Sequence, residues 1–434
     1  ALAAGRGISL PSMGTAAIAM SAHTTGAYAR IRQQFNLPIG KFGGVQIPMA
    51  RMAVDSYVMD AARRLTCAGL DEGRALSVIS AIMKAHATLR MREACNDAMD
   101  VHSGKAVIDG PSNYLLPLYR AVPIGITVEG ANIVTRALII FGQGSIRAHP
   151  HLLDEMQALS MENEKESLEA FDKSFWAHVG HSIKTAGRAF IRAWTGSLVS
   201  APVAHIYREL ARWSASYALV ADLAFLTFGG ELKRREMISI RMGDILSEMY
   251  LLSAALKRWE DEGQQEADLP ILEYAATRSF TTIRRLLNEV LENTPSFFAR
   301  ALARFVTLPG GGTTGPSDEL IAECAELIYE PSATRDRITG HLGTAGQRPG
   351  VAKLNEAYAA VVELDPLMKK LRKAKQTPDE ALAAGTITDE ERGRIAHMEK
   401  LVTEVTAVDD FTPEELSRYY AGFQPEEASR IAAE

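Results

Sequence analysis

Cysteine is scarce in this sequence. The 434 residues contain three, Cys67, Cys95 and Cys324. They are far apart and show no CxxC spacing, which argues against a disulfide framework or a structural zinc site and fits a reducing compartment. Long runs of one charge are also missing. Lys and Arg number 47 against 53 Asp and Glu, they are interspersed, and the net charge of −6 excludes a general nucleic-acid binder. No uninterrupted apolar run approaches the roughly 18 residues of a membrane span, and no charged segment precedes a short apolar one as in a signal peptide. The chain opens Ala1-Leu2-Ala3 without methionine, so it is read as part of something longer. Period-2 alternation is rare, which leaves little room for strands. The glycines of Leu308 to Asp318 (LPGGGTTGPSD) are not followed by GK[ST]; this segment reads as a flexible loop, not a phosphate-binding one.

What is present is helix former. Apolar residues make up 47%, enough for a sizeable core, and Ala, Leu, Met, Glu and Arg dominate. Four long helices are expected at about Met13–Phe35, Gln46–Ala68, Gly73–Ser103 (opened by Asp71 and Glu72) and Glu129–Gly142, with a turn over Asn36–Gly44 and a loop over Gly104–Pro123. Short connections between long helices read as a bundle. Met49, Met52 and Met59 lie at helical spacing and are expected in the core. A charged stretch, Met161–Glu169, marks a boundary. Beyond it Phe171–Trp194 is a basic-aromatic helix, expected to pack its aromatic face on the bundle, with membrane-surface contact as the other reading. Helices over Trp213–Phe228, Met237–Trp259 and Ile271–Leu291 make a second bundle. After Ser317 the helices look short and polar, a peripheral wrap, with Thr377-Pro378-Asp379-Glu380 and Thr412-Pro413-Glu414-Glu415 as helix starts. The expected architecture is all-α: a four-helix bundle over 1–156, a second helical bundle over 157–310 and a peripheral extension over 311–434.

The most informative stretch is Gly125–Gly144, GITVEGANIVTRALIIFGQG. Glu129 stands alone ahead of a strongly apolar segment, followed at once by Gly130, and the next charge is Arg136. Burial raises a carboxyl's pKa and makes it a stronger base toward a carbon acid. The plainer reading is that an acid at a helix start complements the macrodipole. His149-Pro150-His151 offers imidazoles, but two histidines around a proline cannot share a helix face and no carboxylate pair sits nearby in sequence, so no metal site is expected.

Four pieces occur in fixed order: Arg32-Gln33-Gln34-Phe35, Gln46 opening the second helix, Asp100–Gly104 (DVHSG) and Val128-Glu129-Gly130. Together they resemble the C-terminal helical domain of the acyl-CoA dehydrogenases. YARIRQQFNLPIGKFGGVQ and PIGITVEGANIVTRALIIFGQGSIRAHP are similar to the long bacterial fatty-acyl-CoA dehydrogenases of β-oxidation. The motifs cover residues 1 to about 156, and the remainder is similar, without sharp motifs, to the helical C-terminal region of those long enzymes.

The resemblance implies roles. Glu129 matches the base that removes the substrate's α-proton, and Gly130 and Arg6 lie near the substrate. Arg32 and Phe35 match residues that reach the FAD of a neighbouring subunit, and Gln46 the glutamine near its adenine end. Ser103 and Gly104 match a Gly-Gly that lets the backbone approach the FAD pyrophosphate. Three positions depart from the family pattern: Ser103 for glycine, Asp100 where many members have glutamine, and Val128 where many have an aromatic. The implied reaction is α,β-dehydrogenation of a medium- or long-chain acyl-CoA to the trans-2-enoyl-CoA. FAD is the cofactor, an electron-transfer flavoprotein the acceptor, a homodimer or larger the assembly, and no metal or nucleic acid takes part. The expected location is the cytoplasm, with contact at the inner face of the bacterial inner membrane. The N-terminal helical and middle β-domains of the family are not in these residues. The alternative of a different class is a non-catalytic helical module for dimerisation or membrane docking.

Overall fold

The computed structural model describes residues 5–144, 149–194, 202–308 and 315–414. Helix runs nearly throughout, and the described strands are two residues each. The bundle consists of α1 (Ser9–Ile31), a hairpin of β1 (Gln33–Gln34) and β2 (Leu37–Pro38), α2 (Gly43–Asp71), α3 (Ser77–His102) and α4 (Leu116–Thr127). A short helix, Asn132–Val134, then continues as a π-helix over Thr135–Gln143. Next come α5 (Leu152–Ala158), α6 (Glu164–Trp194), α7 (Ala204–Phe228), α8 (Glu236–Asp261), α9 (Leu269–Glu292) and α10 (Phe297–Thr307). The last group is α11 (Asp318–Tyr329), α12 (Ala333–Thr339), α13 (Pro349–Ala374), α14 (Pro378–Ala383) and α15 (Asp389–Thr406).

The differences from expectation have local causes. Asp71 and Glu72 end α2 and do not open the next helix. Gly73 at φ +75° takes the left-handed position past the helix end, its N–H bonding to Leu70 O while that of Arg74 reaches Gly69 O. The expected loop over Gly104–Pro123 contains most of α4. Asn113 Oδ1 accepts the N–H groups of Leu115 and Leu116, and Pro117 sits in the first turn, where its missing N–H costs nothing. The turn after α1 is a two-residue hairpin pairing Gln33 with Pro38 and Gln34 with Leu37. The loop expected over Leu308–Asp318 falls largely on residues 309–314, outside the described residues, as does Glu415 of the last expected helix start. The Thr377 start is a complete capping box: Thr377 Oγ1 accepts from Glu380 N, and Glu380 Oε2 from Thr377 N.

Met49, Met52 and Met59 are fully buried in α2, which lies at the centre and packs on α1, α3, α8 and α11. One hydrophobic core runs from Ala17 through α7–α9 to Val405. The segment after Ser317 is therefore no mere wrap. In α11, Cys324, Ile328 and Tyr329 are buried in that core, and α13 is 26 residues long. Ile328 O lies so close to α1 that a Cβ on Gly26 would fall 2.0 Å from it. A Cβ on Gly40 would meet the Tyr329 ring at 2.6 Å. The Tyr329 ring is flanked by the Arg30 guanidinium, 4.7 Å from its centroid, and by Lys41 Nζ at 4.4 Å. Arg30 also pairs with Glu330 (2.6 Å) and Asp365 (3.1 Å).

Buried charge joins the parts as well. Asp55 of α2, 1% exposed, accepts from Arg90 of α3 at 2.6 Å and Arg278 of α9 at 2.5 Å. Glu248 of α8 accepts from Arg90 (3.0 Å) and from Ser279 (2.8 Å). Burial alone would raise the Asp55 carboxyl, but Arg278 and Arg90 hold it below its ordinary value. The aromatic face of α6 departs from expectation, since Trp176 (66%), Phe175 (40%) and Phe190 (39%) are exposed. The region Ala204–Leu232 is long and apolar enough to match a membrane span by length and composition. In this fold Trp213, Val220 and Ala224 of that region are in the core.

Candidate active site and cofactor-contact surface

Six non-glycine residues among those described have positive φ, and three of them are the site residues Phe35 (+52°), Ser103 (+56°) and Glu129 (+55°). Each such residue costs on the order of 1–3 kcal/mol, persists only where its surroundings hold it, and such strain clusters at functional sites.

Glu129 lies in a bend between α4 and the Asn132–Val134 helix, followed by Gly130 at φ +90°. That helix begins three residues later, has Ala131 at its cap and takes no side-chain cap bond, so Glu129 is not serving as its cap. The Glu129 carboxylate instead faces the start of α1, where Ser9 Oγ donates to Oε1 at 3.4 Å, while Oε2 is shielded from solvent and has no hydrogen-bond partner among the described residues. Glu129 is less isolated than its sequence neighbours suggest. Arg136 turns away to pair with Asp244 of α8, and two cations from elsewhere take its place. Arg6 is 7% exposed, its Nη2 donates to Ser77 O, and its guanidinium lies beside Gly130. Burial lowers Arg6 from its ordinary value, and Glu129 opposes that. Lys84, in the first third of α3, is wholly buried and reaches the same bend. The backbone N–H of Glu129 engages no acceptor among the described residues. The bend therefore offers a carboxylate and a free N–H side by side, which suits removal of a proton next to a carbonyl while that carbonyl is polarised.

The other matched residues gather at the opposite end of the bundle. Phe35 and Asn36 are the two left-handed residues of the hairpin turn, a conformation that usually selects Asn and Gly. Phe35 is 88% exposed, with its ring edge-on to Phe42 at 6.3 Å. Phe35, Gln34, Ile39, Phe42, Gly44 and Asp100 line a groove of about 360 Å³. Gln46 is half-buried in the first turn of α2. Arg32 lines a neighbouring cavity of about 450 Å³, closed on its far side by Asp365, Met368, Met398 and Val402 of α13 and α15. Ser103, with φ +56° and ψ −137°, keeps a glycine-type backbone at the position where it departs from glycine, and it and Gly104 are exposed at the end of α3. From Ser9 beside Glu129 to Arg32, α1 spans about 35 Å at 1.5 Å per residue. The two groups of candidate residues therefore lie at opposite ends of α1.

His102, beside Ser103, anchors that end. It is buried and stacked on Tyr28 at 4.2 Å; its Nδ1 donates to Ala98 O (2.7 Å) and its Nε2 accepts from Tyr114 Oη (2.8 Å). Burial, with Lys105 adding to it, pushes His102 down to about 3 against the Ala98 hydrogen bond. The unfolded chain takes up this proton below an ordinary value near 6.5, and the folded chain does not until about 3. The stability this supplies is complete above pH 6.5 and is lost as pH falls toward 3, about 2 kcal/mol of it by pH 5. His102→Gln is expected to flatten the fall in melting temperature between pH 7 and pH 5. An unchanged slope would remove His102 as its source.

A second polar cluster joins α5, α6 and α7, where His149, His178 and Asp222 present ligand-type atoms within 4.8 Å of one another. The sequence neighbourhood of Pro150 hides this carboxylate, which arrives from 73 residues away. His149 Nδ1 accepts the N–H groups of His151 and Leu152, so its proton sits on Nε2 and is donated to Asp222 Oδ1 at 3.0 Å. His178 Nδ1 donates to Glu155 and Ser182 Oγ to Asp222. A metal would meet the protonated face of His149; the cluster is a hydrogen-bonded brace.

Two family models match the chain. The family described as "Acyl-CoA dehydrogenase, C-terminal domain" matches residues 3–142, and "Acyl-CoA dehydrogenase, C-terminal, bacterial type" matches residues 146–411. A solved acyl-CoA dehydrogenase from Bacillus anthracis, complexed with FAD, has a similar fold: TM-score 0.59, 17% identity, covering 74% of this chain and 55% of that one. Acyl-CoA oxidase 1 of Arabidopsis thaliana aligns at TM-score 0.47 and 12% identity, over 80% of this chain and 54% of that one. Acyl-CoA oxidase-1 of Caenorhabditis elegans, complexed with FAD and ATP, aligns at 0.45 and 14%, over 81% and 54%. The chain thus spans about half the length of the structures it matches. It belongs to the acyl-CoA dehydrogenase family, as the C-terminal region of the bacterial type.

Proposed function

We propose that this chain is the base-bearing C-terminal part of an FAD-dependent acyl-CoA dehydrogenase acting on medium- to long-chain acyl-CoA. The observation that carries the reading is the bend at Glu129: a carboxylate in a left-handed conformation, backed by Arg6 and Lys84, beside an unengaged N–H. Glu129 takes the α-proton, its N–H polarises the thioester carbonyl, and Gly130, without a side chain, lets the acyl thioester come close to the bend.

The residues at the other end fit FAD. Arg32 supplies a planar fork of donors suited to pyrophosphate, exposed Phe35 an aromatic surface, and Ser103-Gly104 a backbone that can be approached closely. Asp100 is an acceptor suited to hydroxyl groups and unsuited to phosphate. When bound, FAD supplies the hydride acceptor for the β-hydrogen. The separation of the half-sites supports a dimer in which the Arg32 end of one copy serves the Glu129 end of the other. The electrons then pass to an electron-transfer flavoprotein.

The test uses the chain together with its natural flanking sequence. Purified protein is expected to be yellow, and acyl-CoA added without air is expected to bleach the flavin with formation of trans-2-enoyl-CoA. A folded protein that never binds FAD would overturn the enzyme reading in favour of a helical interaction module.

A further inference from the structure

We propose that Lys84 is a positioning residue for Glu129, clamping the bend on both sides of the carboxylate; the proposal rests on the reading of Glu129 as the base. Lys84 is fully buried and has no carboxylate within hydrogen-bond reach among the described residues. Its three N–H groups have three acceptors: Ile126 O at 3.1 Å, Gly130 O at 2.7 Å and Asn132 Oδ1 at 2.8 Å. An ammonium has three donors and no acceptor, so this set specifies the charged form.

The acceptors bracket Glu129. Ile126 is in the last turn of α4, where the helix dipole favours a cation. Gly130 follows the carboxylate directly, and its carbonyl also accepts from Thr135 Oγ1 at 3.1 Å. Asn132 opens the next helix, and its amide donates to Thr88 Oγ1 (2.9 Å) and Ala85 O (3.3 Å). Both ends of the bend are thus tied to one turn of α3. Such ties hold a residue at positive φ against its strain.

The clamp depends on protonation. A neutral amine has two N–H groups and a lone pair, which would face one of the three acceptors. Burial lowers Lys84 to about 8; Glu129 on the bend opposes this, and Arg6 on the N-terminal segment adds to it. The bend is therefore held below about pH 8 and released as pH rises through it.

Lys84→Met, Lys84→Arg and Glu129→Gln are compared in the full-length holoenzyme. Lys84→Met is expected to keep its flavin and its KM while kcat falls about 100-fold, the scale of an ångström-sized displacement of a catalytic group. The unmodified enzyme is expected to lose kcat as pH rises past about 8, Lys84→Arg to lose it only at higher pH, and Lys84→Met to show no such limb. A folded Lys84→Met with unchanged kcat and an unchanged alkaline limb overturns the proposal, as does an unmodified enzyme without that limb. If Lys84→Met does not fold, Asn132→Ala is read instead: lower kcat at constant KM is expected, and normal kcat overturns the clamp. If Glu129→Gln stays active, the base reading itself has failed. If Glu129→Gln is inactive while Lys84→Met is normal, only the clamp has failed.

Discussion

Glu129→Gln is expected to lower dehydrogenation by at least about 10³-fold in the full-length enzyme, within the usual range for loss of a positioned general base. The substitution is nearly isosteric. Glutamine still offers an oxygen to Ser9 Oγ, and the Lys84 ammonium keeps its three carbonyl-type acceptors. Folding and flavin content should therefore be preserved, so the loss falls on chemistry. Anaerobic mixing with acyl-CoA reads it directly: the flavin should stay oxidised while substrate still binds. Ordinary turnover in this variant would remove Glu129 as the base, and loss of flavin would show that the bend also helps to hold the cofactor.

The largest effect on stability is expected at Asp55. Asp55→Ala leaves Arg90 and Arg278 facing each other without their shared carboxylate, and Arg90 itself is buried. Removing one partner of a buried ion pair costs about 3–5 kcal/mol when the remaining charge is left unpaired; Arg90 keeps Glu248, so the lower end of that range is expected. The penalty falls where α2 and α3 meet α9, and Glu248 draws α8 into the same network. Thermal unfolding should show a lower midpoint for the whole molecule. Adding Arg278→Leu should recover part of the loss, since the second change removes the charge the first one stranded. A midpoint within about a degree of the parent would mean that water or Glu248 compensates, and the network would not couple the first bundle to the second.

Much of the helical fold is legible in the sequence because its signals are local. Helix-forming composition, the buried methionines of α2 and the Thr377 capping box each depend on a few neighbouring residues. The site is legible only in part. Glu129 stands out as a single charge in an apolar stretch. Lys84 has the same signature, since residues 75–89 hold no other Asp, Glu, Lys or Arg, yet a lysine within a helix is ordinarily read as solvent-facing. Asp222 beside His149, and Arg6 beside Gly130, are invisible because chain separation carries no information about contact. The weight of α11 in the core was hidden for a related reason. Eight of its twelve residues are apolar, but the helix is short, and the burial of Cys324, Ile328 and Tyr329 comes from the narrow gap the bundle leaves for them.

That gap has a consequence for sequence comparison. Gly26 and Gly40 sit where Ile328 and Tyr329 press against the bundle, and neither site has space for a methyl group. A bundle that carries no extension has no reason to keep glycine at either position. Glycine at both, in a chain with Arg30 and Lys41 around them, therefore marks a bundle shaped to receive a C-terminal extension, and it does so from the first forty or so residues alone. Domain shuffling that transplants the bundle without residues 318–358 would strip the cover from a crease in α1 that side chains were never there to fill.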